Sequence, residues 1–264
     1  MQILTRLRNL FCSSSATEKW VPDSIYPDDV FIVSYPKSGN TWMRFLIGNY
    51  LTGNDCTFEN CHRITPDIHM NPEYCNEVER PRFIKSHAPY RSQYPKVVYV
   101  VRDGRDVAVS YYHHCIRKGQ IESDTSFPAF LKMFNEGEAD EFGRWGQHVT
   151  SWIERGNQFL VVKYEDLQQD AESELRRVLE FAGVAVHEEP LTEAVEASSF
   201  ENMKETEEKE RHRIERLKED APTKRFMRKG KTGEWRTYFN SELHKDFLEA
   251  HGEGLHRGGY STNL

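Results

Sequence analysis

The chain has 264 residues, 38% of them hydrophobic and 29% charged, with a formal net charge of −7 at pH 7. That length buries a substantial core, and no linker parts it, so we expect one domain over residues 21–264 after an N-terminal extension, residues 1–20. The acidic balance excludes a general nucleic-acid binder, and no apolar run approaches the roughly 18 residues that a membrane span needs.

The extension begins MQILTRLRNLFCSSS, with Ile3, Leu4, Leu7, Leu10 and Phe11 at helical spacing. Arg6 and Arg8 interrupt any secretory apolar core, which predicts a short helix rather than a signal peptide. Five cysteines, an odd number without framework spacing, predict free thiols and a cytoplasmic location. Cys56, Cys61, His62, His69 and Cys75 lack the paired Cys-x-x-Cys hooks of a zinc site, so no metal is expected.

Residues 29–34, DVFIVS, are apolar and β-branched, and a Pro/Ser/Gly turn follows. Trp42, Phe45, Leu46, Asn49 and Tyr50 then repeat at helical spacing, giving strand, loop and helix. RFIK ends a short strand just before His87, and KVVYVV from Lys96 opens another strand that turns at RDGRD into a helix. Helices are expected at about 126–135 and 143–155. A further strand, FLVVKY at 159–164, leads into DLQQDAESELRRVLEFAG, read as one helix with Asp166 as N-cap and Gly183 as stop. Residues 205–224 are too polar for a core and read as a solvated helix or a lid. Short apolar strands alternating with helices predict an α/β fold: a central parallel sheet flanked by helices, with a P-loop-like strand-loop-helix that binds phosphate.

In that loop, YPKSGNTW at 35–42, backbone N–H groups and the helix dipole converge on an anion. Lys37 adds positive charge, Gly39 permits close backbone approach, Ser38, Asn40 and Thr41 carry hydrogen-bond donors, and Trp42 offers a flat face for a base. A kinase-type G-x-x-x-x-G-K-[ST] loop is absent, because at Gly230-Lys231-Thr232 the first glycine position is held by Arg225. No acidic partner for Mg²⁺ adjoins the loop, which favours a phosphate donor used without metal. A second local basic cluster comprises Lys224, Arg225, Arg228, Lys229 and Lys231.

FIVSYPKSGNTW, VVYVVRDGRDVAVSYYHH and RKGKTGEW together resemble the three signature segments of the cytosolic sulfotransferases, in the family's order and over roughly residues 20–250. The resemblance implies PAPS (3′-phosphoadenosine 5′-phosphosulfate) as donor, PAP as product, no metal and a small-molecule acceptor. It implies that Lys37 to Trp42 clamp the 5′-phosphosulfate, that Arg102 and Ser110 grip the 3′-phosphate, and that Tyr164, Ser198 and Phe200 wall the adenine. Phe226, Met227, Arg228, Lys229 and Gly230 would close over the nucleotide. His87, in KSH where the family has KTH, would be the general base of an in-line transfer, with Lys37 and Lys85 as candidates to stabilise the leaving group. The family has threonine in place of Asn40, the chain is short for the family, and RTYFNSELHKDF matches its dimerisation segment poorly, leaving the oligomeric state open with a monomer among the outcomes. The glutamates of the 205–224 segment point to a cationic or polar acceptor. Two other functions share such a loop. An atypical small-molecule kinase is opposed by the missing glycine, and a non-catalytic nucleotide-binding regulator is opposed by the retention of Lys85 and His87.

Overall fold

The computed structural model describes residues 20–153, 158–214 and 226–264. The N-terminal segment up to residue 19 and the stretch 215–225 lie outside the described residues, and so do Lys224 and Arg225. Four parallel strands, β1 (Val30–Val33), β2 (Phe83–Ser86), β3 (Lys96–Val101) and β4 (Phe159–Lys163), pair in the order β2-β1-β3-β4. β1, β3 and β4 were legible as apolar runs because both faces of the sheet are covered, and β2 as the short strand RFIK.

Alternation of side chains along β1 divides the core. Phe31 and Val33 face the cluster built with Tyr99, α3 (Gly104–Arg117), α4 (Phe127–Glu136), α5 (Trp145–Ile153) and α10 (Ser241–Arg257). Val30 and Ile32 face α1 (Asn40–Thr52), α7 (Ala171–Ala182) and α8 (Glu188–Ala197) through Met43, Leu46, Leu175, Val178 and Leu191. The chain leaves β1 for β2 on one side and later returns to β3 on the other. The helices after β1 and β3 therefore cover opposite faces, and the loops that follow these two strands flank one crevice at the carboxyl end of the sheet.

Residues 164–182 do not form the single helix expected. α6 (Tyr164–Gln169) follows β4 directly, and Asp170 interrupts it, accepting the N–H of Ser173 (2.9 Å) to cap α7. Asp166 lies inside the first turn of α6, where a carboxylate favours the helix dipole without capping. Gly183 ends α7 at φ +83°, as read. The remaining helices are α2 (Cys61–Ile64) and α9 (Phe200–Glu210), the latter capped by Ser199. Among the described residues, no helix is long and apolar enough to cross a membrane.

The starts of β1 and β2 are tied by a buried ion pair. Arg82 donates through Nε and Nη2 to both oxygens of Asp29 (2.7 and 2.6 Å), and its other donors reach the carbonyls of Cys75 and Ser24. The two side chains are 2% and 0% exposed. Replacing Asp29 with Asn strands a buried guanidinium, so Asp29→Asn is expected to lose about 3–5 kcal/mol, read as a lower midpoint in urea unfolding.

Candidate active site

Three strand ends meet at the crevice. After β1, residues 35–39 form a loop in which Lys37 adopts φ +71° and Gly39 φ +102°. A Cβ at Gly39 would lie 2.5 Å from the Tyr164 ring, so this position requires glycine for both its backbone conformation and its closeness to a neighbour. No side chain caps α1, leaving the N–H groups of its first turn directed at the crevice. Ser38 Oγ is buried with no hydrogen-bond partner among the described residues, the condition expected of a donor awaiting an anion. Asn40 spends its side-chain amide on the Ile32 carbonyl (2.9 Å) and Ser34 Oγ (3.2 Å), so its carboxamide braces the strand end.

The crevice is a cavity of about 490 Å³, lined by all the candidate residues except Ser38 and Ser198. Ser198 is fully buried; its Oγ accepts from Asn49 and its carbonyl accepts the Trp42 indole N–H (2.9 Å), so it holds Trp42 from behind. Trp42 meets Tyr164 edge-on at 5.7 Å. Arg102, following β3, lies 4.4 Å over the Tyr164 ring and donates to the carbonyls of Lys231 (2.8 Å) and Lys37 (3.4 Å). Seven residues into α3, Ser110 lines the same wall. Gly230 approaches Phe200 so closely that a Cβ would fall 2.6 Å from its ring.

The charge of this cavity opposes that of the chain. Among the described residues, Lys37, Arg44, Lys85, Arg102, Arg117, Lys118, Arg228, Lys229 and Lys231 line it against a single carboxylate, Asp67. Burial, followed by the repulsion of Arg117 and Arg102, pushes Lys37 down to about 7. Glu234 accepts from Arg228 and from Lys229 (2.6 Å) and is pushed down to about 2, chiefly by the hydrogen bond from Arg228. Asp106 accepts the N–H groups of Gly233 (2.6 Å) and Trp235 (2.9 Å), fixing the basic loop against α3. Lys85 is paired with Asp67 at 2.5 Å. Burial works to raise the Asp67 carboxyl, but Lys85 and Arg44 outweigh it and hold it below the usual range.

His87 follows β2. Its Nδ1 lies 2.7 Å from the Ser34 carbonyl, which only accepts, so Nδ1 carries the hydrogen and Nε2 keeps its lone pair. Burial, then the charge of Lys85, holds the imidazole well below its ordinary pKa, so it is neutral. The backbone N–H of His87 donates to His69 Nε2 (2.7 Å), and Phe142 packs against both rings at 5.6 and 5.1 Å.

Several residues play parts that the sequence did not reveal. His69 orders the His87 backbone, while Cys56 and Cys61 sit in an apolar cluster with Phe45, Phe58 and Met203. No group of three or more His, Cys, Asp or Glu among the described residues is arranged to hold a metal ion. Tyr90, Tyr94, Phe127 and Phe130 pack in or against the core, and Tyr111, Phe142, Met70 and Phe226 are among the aromatic and sulfur-bearing side chains that line the cavity. His114, Arg117 and Lys118 were open to detection, because they continue the helical face of Ser110 at i+4, i+7 and i+8.

Among the described residues, the glutamates of the 205–224 segment do not line the cavity. Glu207 is buried and accepts the N–H groups of Phe226 (2.7 Å) and Met227 (2.8 Å), and Glu210 accepts that of Phe58 (2.8 Å). Glu205 pairs with Lys209 on the surface, and none of Glu205, Glu207 and Glu208 lines the cavity. The described part of the segment therefore gives no support to a cationic or polar acceptor, and residues 215–224 lie outside the described residues.

A sequence model of the sulfotransferase domain matches residues 27–259. Bovine Sulfotransferase 1A1 is 32% identical over 248 residues, covering 86% of this chain and 82% of that one. Mouse Sulfotransferase 2B1 is 33% identical, covering 88% and 73%. Among solved structures, mouse sulfotransferase SULT7A1 complexed with PAP superposes with a TM-score of 0.69 at 27% identity, over 88% of this chain and 85% of that one. Retinol dehydratase in complex with androsterone and inactive cofactor PAP gives the same TM-score and identity. With this domain spanning nearly the whole described fold, and relatives above 30% identity along most of their own length, the chain belongs to the sulfotransferase family.

Proposed function

We propose that this protein transfers the sulfuryl group of PAPS to a hydroxyl or amine of a small molecule and releases PAP. The observation that carries the proposal is a neutral imidazole, His87, with Nε2 unprotonated, in the same cavity as a cation-lined strand-end loop. The solved relatives bound to PAP, and the retinol dehydratase complexes with androsterone and with retinol, support this donor and a small acceptor.

In this scheme the backbone of residues 37–42 and Lys37 hold the 5′-phosphosulfate, and Arg102, Ser110, Arg228 and Lys229 hold the 3′-phosphate. Trp42, Tyr164, Phe200 and the loop Phe226 to Gly230 enclose the adenine, with Ser198 acting through Trp42. The acceptor oxygen or nitrogen forms its bond to sulfur as the bond from sulfur to the phosphate oxygen breaks, and its proton passes to His87 Nε2. Negative charge grows on the departing phosphate beside Lys37, where a preorganised cation lowers the barrier. Lys85, paired with Asp67, supports His87 by disfavouring its protonated form. The free thiols Cys56, Cys61, Cys75 and Cys115 support a reducing, cytoplasmic setting, with residues 21–264 acting as one domain.

Label should pass from PAPS to members of an acceptor library and not from ATP; transfer from ATP alone would overturn the scheme in favour of a kinase. Removing the base in His87→Gln should lower kcat on the order of 10²-fold or more while PAP still binds. Lys37 supplies a pH signature. Uncharged in most molecules at pH 8, it regains its proton when an anion arrives, so PAP binding at pH 8 should take up close to one proton. Calorimetry in buffers of different ionisation enthalpy reads this uptake, which Lys37→Met should abolish. Glu207→Ala frees the Phe226 and Met227 amides and should weaken PAP binding by about tenfold or more, measured by titration, with little change in the unfolding midpoint of the sheet.

A further inference from the structure

A second imidazole lines the cavity and has no part in the transfer described so far. His114 stands on α3 four residues after Ser110, about 6 Å along the axis and on the same helical face. Its Nδ1 lies 3.1 Å from Arg117 Nη2. A guanidinium only donates, so Nδ1 accepts and the hydrogen of the neutral ring sits on Nε2. Burial, then the charges of Lys37 and Arg117, push the ring down to about 2, so it stays neutral. The side chain is half-buried, yet Nε2 has no hydrogen-bond partner among the described residues.

This donor is related to both ends of the proposed transfer. Lys37, in the phosphosulfate loop, is close enough for its charge to rank next to burial among the influences on the His114 ring. Another neighbour is the ring of Tyr111, at 5.8 Å. The Tyr111 hydroxyl donates to Asp140 Oδ2 (2.5 Å), Asp140 Oδ1 accepts the Phe142 N–H (2.7 Å), and the Phe142 ring packs on His87 at 5.6 Å. The two imidazoles are opposite in polarity, His87 offering a lone pair at Nε2 and His114 a hydrogen. What crosses from the Lys37 end to the His87 end is the sulfuryl group, and beyond Lys37 no side chain of the proposed transfer is assigned to its oxygens.

Resting on the sulfuryl-transfer reading above, we propose that His114 is a further substrate-binding residue, its Nε2–H donating to an oxygen on the sulfur of PAPS. The bond is made to the loaded donor and is missing in PAP, which has no sulfur. A neutral donor suits that task. Another cation at this point would attract the anionic product as well as the donor, whereas one directed hydrogen bond depends on the oxygen it meets and is left unpaired without it. Arg117 acts through His114, by fixing the tautomer that presents the hydrogen.

The test compares PAPS with PAP, each titrated calorimetrically into the full chain. His114→Phe keeps a flat ring and removes the donor; it should weaken PAPS by about tenfold or more and PAP by less than about threefold, with the unfolding midpoint kept. His114→Leu, which also lacks a donor, should behave alike. His114→Gln, whose amide carries a donor at similar reach, should recover most of the PAPS affinity. Equal losses for PAPS and PAP would assign the ring to the nucleotide, and an unchanged PAPS affinity would make it a wall residue; either result overturns the proposal. So does a His114→Gln variant as weak as His114→Phe. A parent chain that binds neither compound sinks the sulfuryl-transfer reading together with the proposal, whereas a parent that binds PAPS while its His114 variants are unaltered sinks the proposal alone.

Discussion

Positive charge, gathered where the sheet presents its strand ends, governs the rest of this structure. Like charges so close together repel, and in a chain of net charge −7 they stay together only because the fold pins them. Arg102 is moored by two carbonyls, Arg228 and Lys229 share Glu234, and Asp106 clasps the turn that carries them. Strand order sets this up. Loops after β1 and β3 can flank one crevice only because the chain reverses its direction of travel across the sheet between them. An anionic nucleotide is the natural counterweight, and in the proposed scheme Lys37, whose pKa is lowered to about 7, takes up a proton as it arrives.

The imidazole proposed as base is prepared by similarly simple means. A single carbonyl, that of Ser34 at the end of β1, fixes which nitrogen of His87 is protonated, and the neighbouring ammonium of Lys85 discourages a second proton. Both influences come from adjacent parallel strands, so the register of β1 against β2, with Val33 opposite Ser86, carries chemical meaning. A slip of one residue would invert every side chain on the strand.

Much of this was legible in the residues. β1, β3 and β4 appeared as apolar, β-branched runs and β2 as the short stretch RFIK, and the loops that follow β1, β2 and β3 carry the residues whose chemistry is most distinctive, Lys37, His87 and Arg102. What escaped depended on partners distant in sequence. Ser198 looked like a ligand contact, yet its role is set by Trp42 and Asn49, about 150 residues earlier. Glu207 read as solvated because neighbouring polarity is all that a local window shows, whereas its burial is repaid by two backbone amides near residue 226. Asp166 and Asp170 are both plausible helix caps, and only the backbone course after β4 selects the second. Arg117 and Lys118 were missed for a different reason: the helical face was not followed past Ser110.

The left-handed backbone at Lys37 makes this residue a point of conflict between durability and usefulness. Glycine would rest there without steric penalty, and removing the ammonium would relieve the crowding among its basic neighbours, so the fold alone would favour its loss. In the proposed transfer the charge of the lysine is needed in that spot, which sets function against both pressures. Attempts to harden this protein by selecting for stability alone would therefore tend to select changes at position 37 that, on the proposed mechanism, leave a sturdier but inert scaffold.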